Sequence, residues 1–221
     1  SSMRPFKTQA KMQTVWVSGQ SVGLAKGSSW REKIAVGTSG NTWNGNSISS
    51  YGIGASPILR CDDIIVAGSW SKTAGRTNVY EATVTKDYSA SEPCTYAAWV
   101  NDTQLVKATS LANCDSTVGS CFAVNYDANS TMTFYIHSTG STNPTSDGKT
   151  VEVAVRHSGI YGFYGTNLTV TGIDARRNFS LGGSIKCGAG ATINNCTIRQ
   201  GSSHSMYLVP TATVTGCTFI D

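Results

Sequence analysis

The C-terminal part of the chain repeats one short segment three times, and this repeat restricts the possible folds more than any other feature. Residues 168–176, 191–199 and 212–219 align one to one, and successive copies begin 23 and 21 residues apart. Each copy alternates apolar and polar residues, which is typical of a strand with one buried face. A Gly or Asn in the middle of each copy predicts a turn between two strands, because these residues tolerate left-handed backbone geometry.

A third short strand precedes the repeated segment. The apolar residues of Ile185–Cys187 recur 21 residues later in Met206–Leu208. Three short strands per turn with a nearly constant offset predict a coil that stacks on copies of itself, because one coil cannot bury its apolar face alone. The sequence therefore predicts an all-β fold made of stacked coils.

The repeat also predicts which buried side chains align between coils. The three predicted columns are Ile173, Cys196 and Cys217; Ala175, Ile198 and Phe219; and Val170, Ile193 and Val214. Stacked strands lie about 4.8 Å apart. The Cβ vectors of Cys196 and Cys217 run parallel, so we expect two stacked thiols rather than a disulfide.

The coil spacing does not extend over the whole chain. Predicted coil strands occur in residues 47–52, 58–61, 64–66 and 151–155. Predicted antiparallel strands with turn residues between them occur in residues 79–84, 97–100 and 132–136. We therefore predict three regions: an N-terminal segment with the first coils (1–71), an inserted β subdomain (72–149) and further coils (150–221).

Composition agrees with an all-β protein and excludes several functions. Charged residues are only 14% of the chain, and it is poor in helix-forming residues. No run of 18 apolar residues occurs, so no membrane partner is expected. The chain shows no zinc-type Cys/His spacing, phosphate loop or nucleophile elbow, and we expect neither a metal nor a cofactor.

The net charge of +4 arises in the first thirty residues, which hold four bases and no acid. This excess is a weak nucleic-acid signal, and a solvated N-terminal segment is the preferred interpretation. We therefore expect no nucleic-acid partner.

The seven cysteines leave at least one unpaired within the chain, and a disulfide between Cys114 and Cys121 is plausible across a turn-like segment. Such a bond would imply an oxidising compartment.

Several stretches together resemble the pectate-lyase-like superfamily of right-handed parallel β-helices. They are residues 26–32, 48–58, 99–105, 147–153 and 167–173. The similarity is greatest to members in which a small antiparallel β subdomain interrupts the first coils, and it spans most of the chain from about residue 22. The superfamily includes polysaccharide lyases, glycoside hydrolases, phage tailspike depolymerases and non-catalytic adhesins, so the fold alone does not transfer an activity.

The resemblance implies a polysaccharide partner and an extracellular or virion-associated location. The predicted function is binding of an acidic polysaccharide, and its degradation if the protein is a lyase or a hydrolase. The alternatives are a non-catalytic glycan- or receptor-binding module, trimeric if it is tailspike-like, and a structural shaft without a ligand. Relatives usually have eight or more coils, whereas this chain ends at Asp221 after about four, so we expect an N-terminal fragment.

Two groups of outward residues form the predicted site. Asp174, Arg176 and Arg199 are the predicted catalytic residues; Lys186, His204 and Tyr207 are the predicted substrate-binding residues. Two stacked guanidiniums repel unless an anion lies between them, and a uronate carboxylate would serve. In a lyase such bases neutralise that carboxylate, and a Lys, Arg or His removes the α-proton, whereas a hydrolase requires two carboxyl groups. In the structural alternative, Arg199 simply pairs with Asp174 on the neighbouring coil.

Aromatic residues of the predicted insertion offer a second possibility. Trp70, Tyr96 and Trp99 could form a platform on which a sugar stacks. Packing of the insertion is the preferred interpretation. His137 and His157 both lie near strand ends and are more often turn residues than catalysts.

Overall fold

The computed structural model describes residues 8–87, 95–126, 130–145, 148–178, 183–201 and 206–220. These residues form an all-β protein with two short α-helices, α1 (Gln9–Gln13) and α2 (Leu111–Ser116), and one 3-10 turn at Ala67–Ser69. The chain divides into two compact units. Unit 1 comprises residues 1–61 and 157–221, and unit 2 comprises residues 62–156.

The first part of unit 1 contains α1 and six strands. The strands are β1 (Ser21–Ala25), β2 (Ser29–Trp30), β3 (Ile34–Ala35), β4 (Trp43–Asn44), β5 (Ser47–Tyr51) and β6 (Ile58–Arg60). Helix α1 begins at Thr8, whose side chain accepts a hydrogen bond from the Lys11 amide. Met12 and Trp16 are buried in the core of unit 1. The Gln13 side chain accepts a hydrogen bond from the Ala35 amide at 2.9 Å and donates one to the Lys33 carbonyl at 3.0 Å. It therefore provides partners for backbone groups at the edge of β3.

Unit 2 contains nine strands and α2. The strands are β7 (Asp62–Ile64), β8 (Ser71–Lys72), β9 (Tyr80–Thr85), β10 (Ala98–Val100), β11 (Thr103–Gln104), β12 (Val106–Lys107), β13 (Ser120–Val124), β14 (Thr131–His137) and β15 (Val151–Ala154). They form one antiparallel sheet in the order β11-β10-β15-β7 and one mixed sheet in the order β12-β13-β14-β9-β8, in which only β12 and β13 are parallel.

The chain then returns to unit 1 and forms ten more strands. They are β16 (Ile160–Gly162), β17 (Gly165–Thr166), β18 (Thr169–Thr171), β19 (Asp174–Arg176), β20 (Ile185–Cys187), β21 (Thr192–Asn194), β22 (Thr197–Arg199), β23 (Met206–Leu208), β24 (Thr213–Thr215) and β25 (Thr218–Ile220).

Unit 1 is built from three parallel sheets that the chain visits in turn. Sheet 1 has the order β1-β5-β18-β21-β24, sheet 2 has β2-β6-β19-β22-β25, and sheet 3 has β3-β16-β20-β23. Strands β4 and β17 form a further parallel pair. Successive copies of the repeat therefore lie on neighbouring strands, and this arrangement is compatible with a parallel β-helix.

The strand pairing confirms the predicted alignment of the repeats. Val170 pairs with Ile193 and Ile193 with Val214, and in sheet 2 Ala175 pairs with Ile198, which pairs with Phe219. Side chains of the earlier strands continue both columns: Ile48 is the neighbour of Val170, and Leu59 is the neighbour of Ala175. The columns form the buried core of unit 1 as far as β21 and β22. Val214 and Phe219, at the last strands, are 40% and 54% exposed, so the prediction that they are buried is wrong.

Two expectations about coil strands are wrong. The alternating segment 151–155 forms β15, which pairs antiparallel with β7 and β10 and belongs to unit 2. Ile64 likewise lies in β7 and not in a coil. Alternation shows that one face of a strand is buried, but it does not specify the partner strand. The antiparallel strands predicted within 79–84, 97–100 and 132–136 are confirmed as β9, β10 and β14.

The core of unit 2 contains all three aromatic residues proposed for a sugar platform. Trp70, Tyr96 and Trp99 are buried, so they pack inside the unit and offer no platform to solvent. His137 is also buried, and its Nδ1 lies 3.0 Å from the Cys114 carbonyl oxygen.

The cysteines in the described part of the chain are all free thiols. The disulfide expected between Cys114 and Cys121 is absent; both side chains are buried, and Cys114 contacts Ser120 instead. The stacked thiols predicted for Cys196 and Cys217 are confirmed. Within the same described residues, no helix is both long and apolar enough to cross a membrane.

Candidate functional site

An arginine column runs along the outer face of sheet 2. Arg60, Arg176 and Arg199 occupy equivalent positions on β6, β19 and β22, with Arg176 paired to both neighbours. Each follows a fully buried residue of the core, so strand alternation directs its side chain away from the core. The sequence predicted the alignment of Arg176 with Arg199. It missed Arg60 because the intervening residues of unit 2 obscure the period.

Asp174 is the carboxylate that holds two of these arginines. Arg176 donates from Nε to Oδ1 at 2.9 Å and from Nη2 to Oδ2 at 2.8 Å, a bidentate pair. Arg199 also contacts Oδ2, at 3.1 Å from Nε and 3.0 Å from Nη2. The Asp174 side chain is only 6% exposed, against 23% for Arg176 and 35% for Arg199. The pairing of Arg199 with Asp174 that we considered as a structural alternative is therefore present.

This geometry determines what the three predicted catalytic residues can do. The Asp174 oxygens already accept four short charge-assisted contacts from two cations. The carboxylate and both guanidiniums are therefore engaged with one another. The cluster is thus an ion triad with one surplus positive charge.

The outer face of sheet 3 carries the other predicted group. Tyr161, Lys186 and Tyr207 form a column across β16, β20 and β23. The Lys186 ammonium lies 5.3 Å from the ring centroid of Tyr161, 4.8 Å from that of Phe163 and 5.1 Å from that of Tyr207. All three distances fall within the range of cation–π attraction. The predicted residue His204 lies outside the described residues.

A second lysine extends this group. The Lys33 ammonium lies 5.8 Å from the Tyr161 ring, which also contacts the imidazole of His157 at 4.8 Å. We refer to Lys33, Tyr161, Phe163, Lys186 and Tyr207 as the aromatic–lysine patch. Lys186 is 6% exposed, whereas Phe163 and Tyr207 are 40% and 43% exposed. The patch therefore presents aromatic rings to solvent around a largely covered ammonium.

Sequence reasoning identified two of the five residues of this patch. It selected Lys186 and Tyr207 from the repeat but missed Tyr161, Phe163 and Lys33. The signal for two of them was the aromatic run at residues 161–164, which precedes the first clear copy of the repeat. The pairing of β16 with β20 brings these rings to Lys186.

The two units differ in charge. Unit 1 contains 11 Lys and Arg against 3 Asp and Glu, a net charge of +8, and unit 2 contains 6 against 10, a net charge of −4. The whole-chain value of +4 conceals this division. A net charge of +8 raises the local concentration of anionic partners around unit 1.

Among the described residues, no group of three or more His, Cys, Asp and Glu side chains is placed to hold a metal ion. Comparison of the chain with protein-family models, with curated proteins and with solved structures found no match. A functional proposal for this chain thus depends on the geometry of its own residues.

Proposed function

We propose that unit 1 is a right-handed parallel β-helix of the pectate-lyase-like type that binds an acidic polysaccharide without cleaving it. The observation that carries this proposal is the aromatic–lysine patch. The protein would lie outside a cell or on a virion, as part of a tailspike or an adhesin. If it is tailspike-like, it would be a trimer.

The patch combines the two kinds of group that an acidic sugar requires. The C–H face of a sugar ring stacks on exposed aromatic rings such as Phe163 and Tyr207, which offer contact area with little loss of side-chain freedom. A carboxylate on the same sugar is attracted to ammonium groups. Lys186 lies over the Phe163 and Tyr207 rings, and Lys33 lies over the Tyr161 ring. The net charge of +8 on unit 1 adds a long-range attraction that salt weakens.

The contacts of Glu32 and Asp174 in unit 1 support binding without cleavage. A hydrolase needs two carboxyl groups about 5–9.5 Å apart. Unit 1 has only Glu32, Asp174 and Asp221 in its sequence. Glu32 accepts a hydrogen bond from the Ala10 amide at 2.8 Å, and Asp174 is held in the ion triad. In a lyase, Arg176 and Arg199 would have to hold the carboxylate of the substrate, but both guanidiniums already donate to Asp174.

The test is a binding measurement with polymers that differ in charge. The chain is titrated calorimetrically with polygalacturonate, alginate and hyaluronate, with neutral dextran as the uncharged comparison. We expect Phe163→Ala and Tyr207→Ala each to weaken binding roughly 2- to 12-fold, the equivalent of a lost aromatic contact. Tyr51→Ala is the control, because Tyr51 is an exposed aromatic residue of unit 1 on sheet 1 and outside the patch.

Two results would contradict the proposal. The first is that the Phe163 and Tyr207 variants bind every acidic polymer as tightly as the unchanged protein does. The second is absence of binding to all three acidic polymers. Ultraviolet absorbance from an unsaturated uronate product would refute the non-catalytic part and identify a lyase.

A further inference from the structure

Unit 2 contains a cavity on whose wall the buried Tyr96 lies. Its volume is about 570 Å³, and its lining includes Thr95, Tyr96, Lys107, Phe122, Asn125 and Tyr126. This volume lies within the range of about 300–1,000 Å³ that is usual for small-molecule sites. All of these residues belong to unit 2, so the cavity is independent of the aromatic–lysine patch.

Aromatic rings form the apolar part of the cavity. The Tyr96 ring is 5.0 Å from that of Tyr126 and 6.2 Å from that of Phe122, both in edge-to-face geometry. Tyr96 is buried, and its hydroxyl donates a hydrogen bond to the Ala108 carbonyl at 2.9 Å. Burial raises the pKa of Tyr96, so the phenol stays protonated and continues to donate to the Ala108 carbonyl. A preformed aromatic surface is typical of sites that accept ring-shaped ligands.

The polar groups lie at the rim. The Lys107 ammonium stands 4.9 Å from the centroid of the Tyr96 ring and is hydrogen-bonded to the Thr95 hydroxyl. Lys107 is exposed, so its charge is available to an incoming anion. Asn125 is also exposed, and its amide provides both a donor and an acceptor.

A buried lysine fixes the backbone of the rim. Lys86 is 4% exposed, and its ammonium donates to the carbonyl oxygens of Asn125 at 3.2 Å and Tyr126 at 2.5 Å. Asn125 has a left-handed backbone with φ of 59°. This conformation costs energy and persists only where the surrounding contacts enforce it. The rim is therefore held in one arrangement before any ligand arrives.

We propose that this cavity binds a small ring compound carrying one carboxylate, with the ring against Phe122 and Tyr126 and the carboxylate on Lys107. An acidic monosaccharide and an aromatic carboxylic acid share this chemistry. The site is separate from the polysaccharide surface proposed for unit 1, and either can exist without the other.

The experiment uses the whole chain and amide chemical-shift mapping by NMR, with three probes. Glucuronate and benzoate represent the two sources of a ring carboxylate, and glucose matches glucuronate without the charge. We expect glucuronate or benzoate to shift the amides of Phe122 and Asn125 in a saturable manner, and glucose to bind at least fivefold more weakly than glucuronate. The probe that binds identifies the source of the ligand.

Substitutions at the rim and wall make the result specific. We expect Lys107→Gln to weaken binding about tenfold, the equivalent of a charge-assisted hydrogen bond, and Tyr126→Ala to weaken it several-fold. The matched control is Lys72→Gln, because Lys72 is another exposed lysine of unit 2 that stands over a tyrosine ring, 4.6 Å from Tyr80, but lies outside the cavity. The proposal is overturned if neither acid shifts these amides, if glucose binds as well as glucuronate, or if Lys107→Gln binds as the unchanged protein does.

Discussion

The Asp174 carboxylate is shared by guanidinium groups that belong to neighbouring strands of sheet 2. Arg176 comes from the same strand and Arg199 from the next one. The carboxylate therefore joins two neighbouring strands through side chains, in addition to the backbone hydrogen bonds between them. It also screens two positive charges that would otherwise repel each other across one strand spacing. We consider the triad a structural element of unit 1.

Replacing this carboxylate tests its structural role. In Asp174→Asn the two guanidiniums lose their counter-ion, and we expect the free energy of unfolding to fall by about 2 kcal/mol, between the values for exposed and buried ion pairs. Asp63→Asn removes a similar bidentate pair with Arg156, but the Asp63 side chain is 40% exposed. We expect that control to lose less than about 1 kcal/mol. Urea titration of both variants measures the difference, and equal losses would show that the triad has no special role.

The thiols differ in their access to solvent. Burial raises the pKa of Cys187 and Cys121 to about 12 and that of Cys196 to about 11. Cys217 is partly exposed. Because the thiolate is the reactive form, a buried thiol with a raised pKa reacts slowly with alkylating reagents.

Native alkylation should therefore be selective. We expect iodoacetamide at pH 8 to modify Cys217 at least tenfold faster than Cys187, Cys196 or Cys121 in the folded protein. Peptide mass spectrometry over a time course gives the individual rates. Alkylation in urea provides the control, since all of these thiols should then react at similar rates. Rapid native modification of Cys187 would show that the core of unit 1 opens readily.

At the level of elements, the turns of unit 1 place glycine against the coil below. Gly190 has φ of 70°, and a Cβ atom there would lie 2.2 Å from the Asn167 side-chain oxygen. The Asn167 amide in turn donates to the Asn44 side chain at 2.9 Å. An additional methyl group would therefore disturb a hydrogen bond between two coils as well as strain the backbone.

A pair of glycine substitutions separates these two effects. Gly45 has the same φ of 70° as Gly190, but no atom lies within 4 Å of the position that its Cβ would take. We expect Gly45→Ala to cost about 1–2 kcal/mol from the left-handed backbone alone. Gly190→Ala should cost at least about 1 kcal/mol more, because it adds an unfavourable contact and a lost hydrogen bond. Thermal unfolding of both variants checks this order, and a smaller loss at position 190 would contradict it.

The sequence predicted both a strand and its partners where a repeat exists, whereas for β9, β10 and β14 it predicted the strands but not their pairing. The copies around Val170, Ile193 and Val214 fix one another's register, because a one-residue shift would expose the apolar face. Residues 151–155 alternate equally well but have no copy, so their antiparallel partners could not be identified. Likewise Lys186 and Tyr207 were found from their spacing, whereas Phe163 lies in a turn that the period does not specify.

On the scale of the whole molecule, unit 2 is inserted into unit 1 at a single point. The chain enters unit 2 at β7 and leaves it after β15, and these strands pair with each other through Asp62 and Ala154. Paired residues on antiparallel strands have Cα atoms about 5 Å apart. The ladders of unit 1 meanwhile join strands that precede unit 2 to strands that follow it.

This arrangement predicts that unit 2 can be excised. We expect a chain in which a short Gly-Ser linker joins Cys61 to His157 to retain the parallel sheets of unit 1. Circular dichroism should show a β spectrum, and heating should give one cooperative transition. Binding to the acidic polymers, if present in the full chain, should persist because the patch lies in unit 1. A random-coil spectrum would show that unit 1 depends on unit 2 for its stability.

The division of charge was not evident from the sequence, because the acids of unit 2 offset the bases of unit 1 in any whole-chain count. The unit boundaries at 61 and 157 reveal it. Any ionic-strength dependence of polymer binding is therefore best compared with the charge of unit 1 alone.

The pairing of Ser47 with Thr169 has a consequence for the order of events during synthesis. Strand β5, which begins at Ser47, leaves the ribosome more than a hundred residues before β18. One edge of β5 is therefore unpaired until β18 has been synthesised. Unit 2 is complete in the interval, and its antiparallel contacts are close in sequence. Once folded, it brings residues 62 and 154 together and removes most of the entropy cost of closing that long loop. We therefore expect the inserted unit to assemble first and to speed the closure of the first coils.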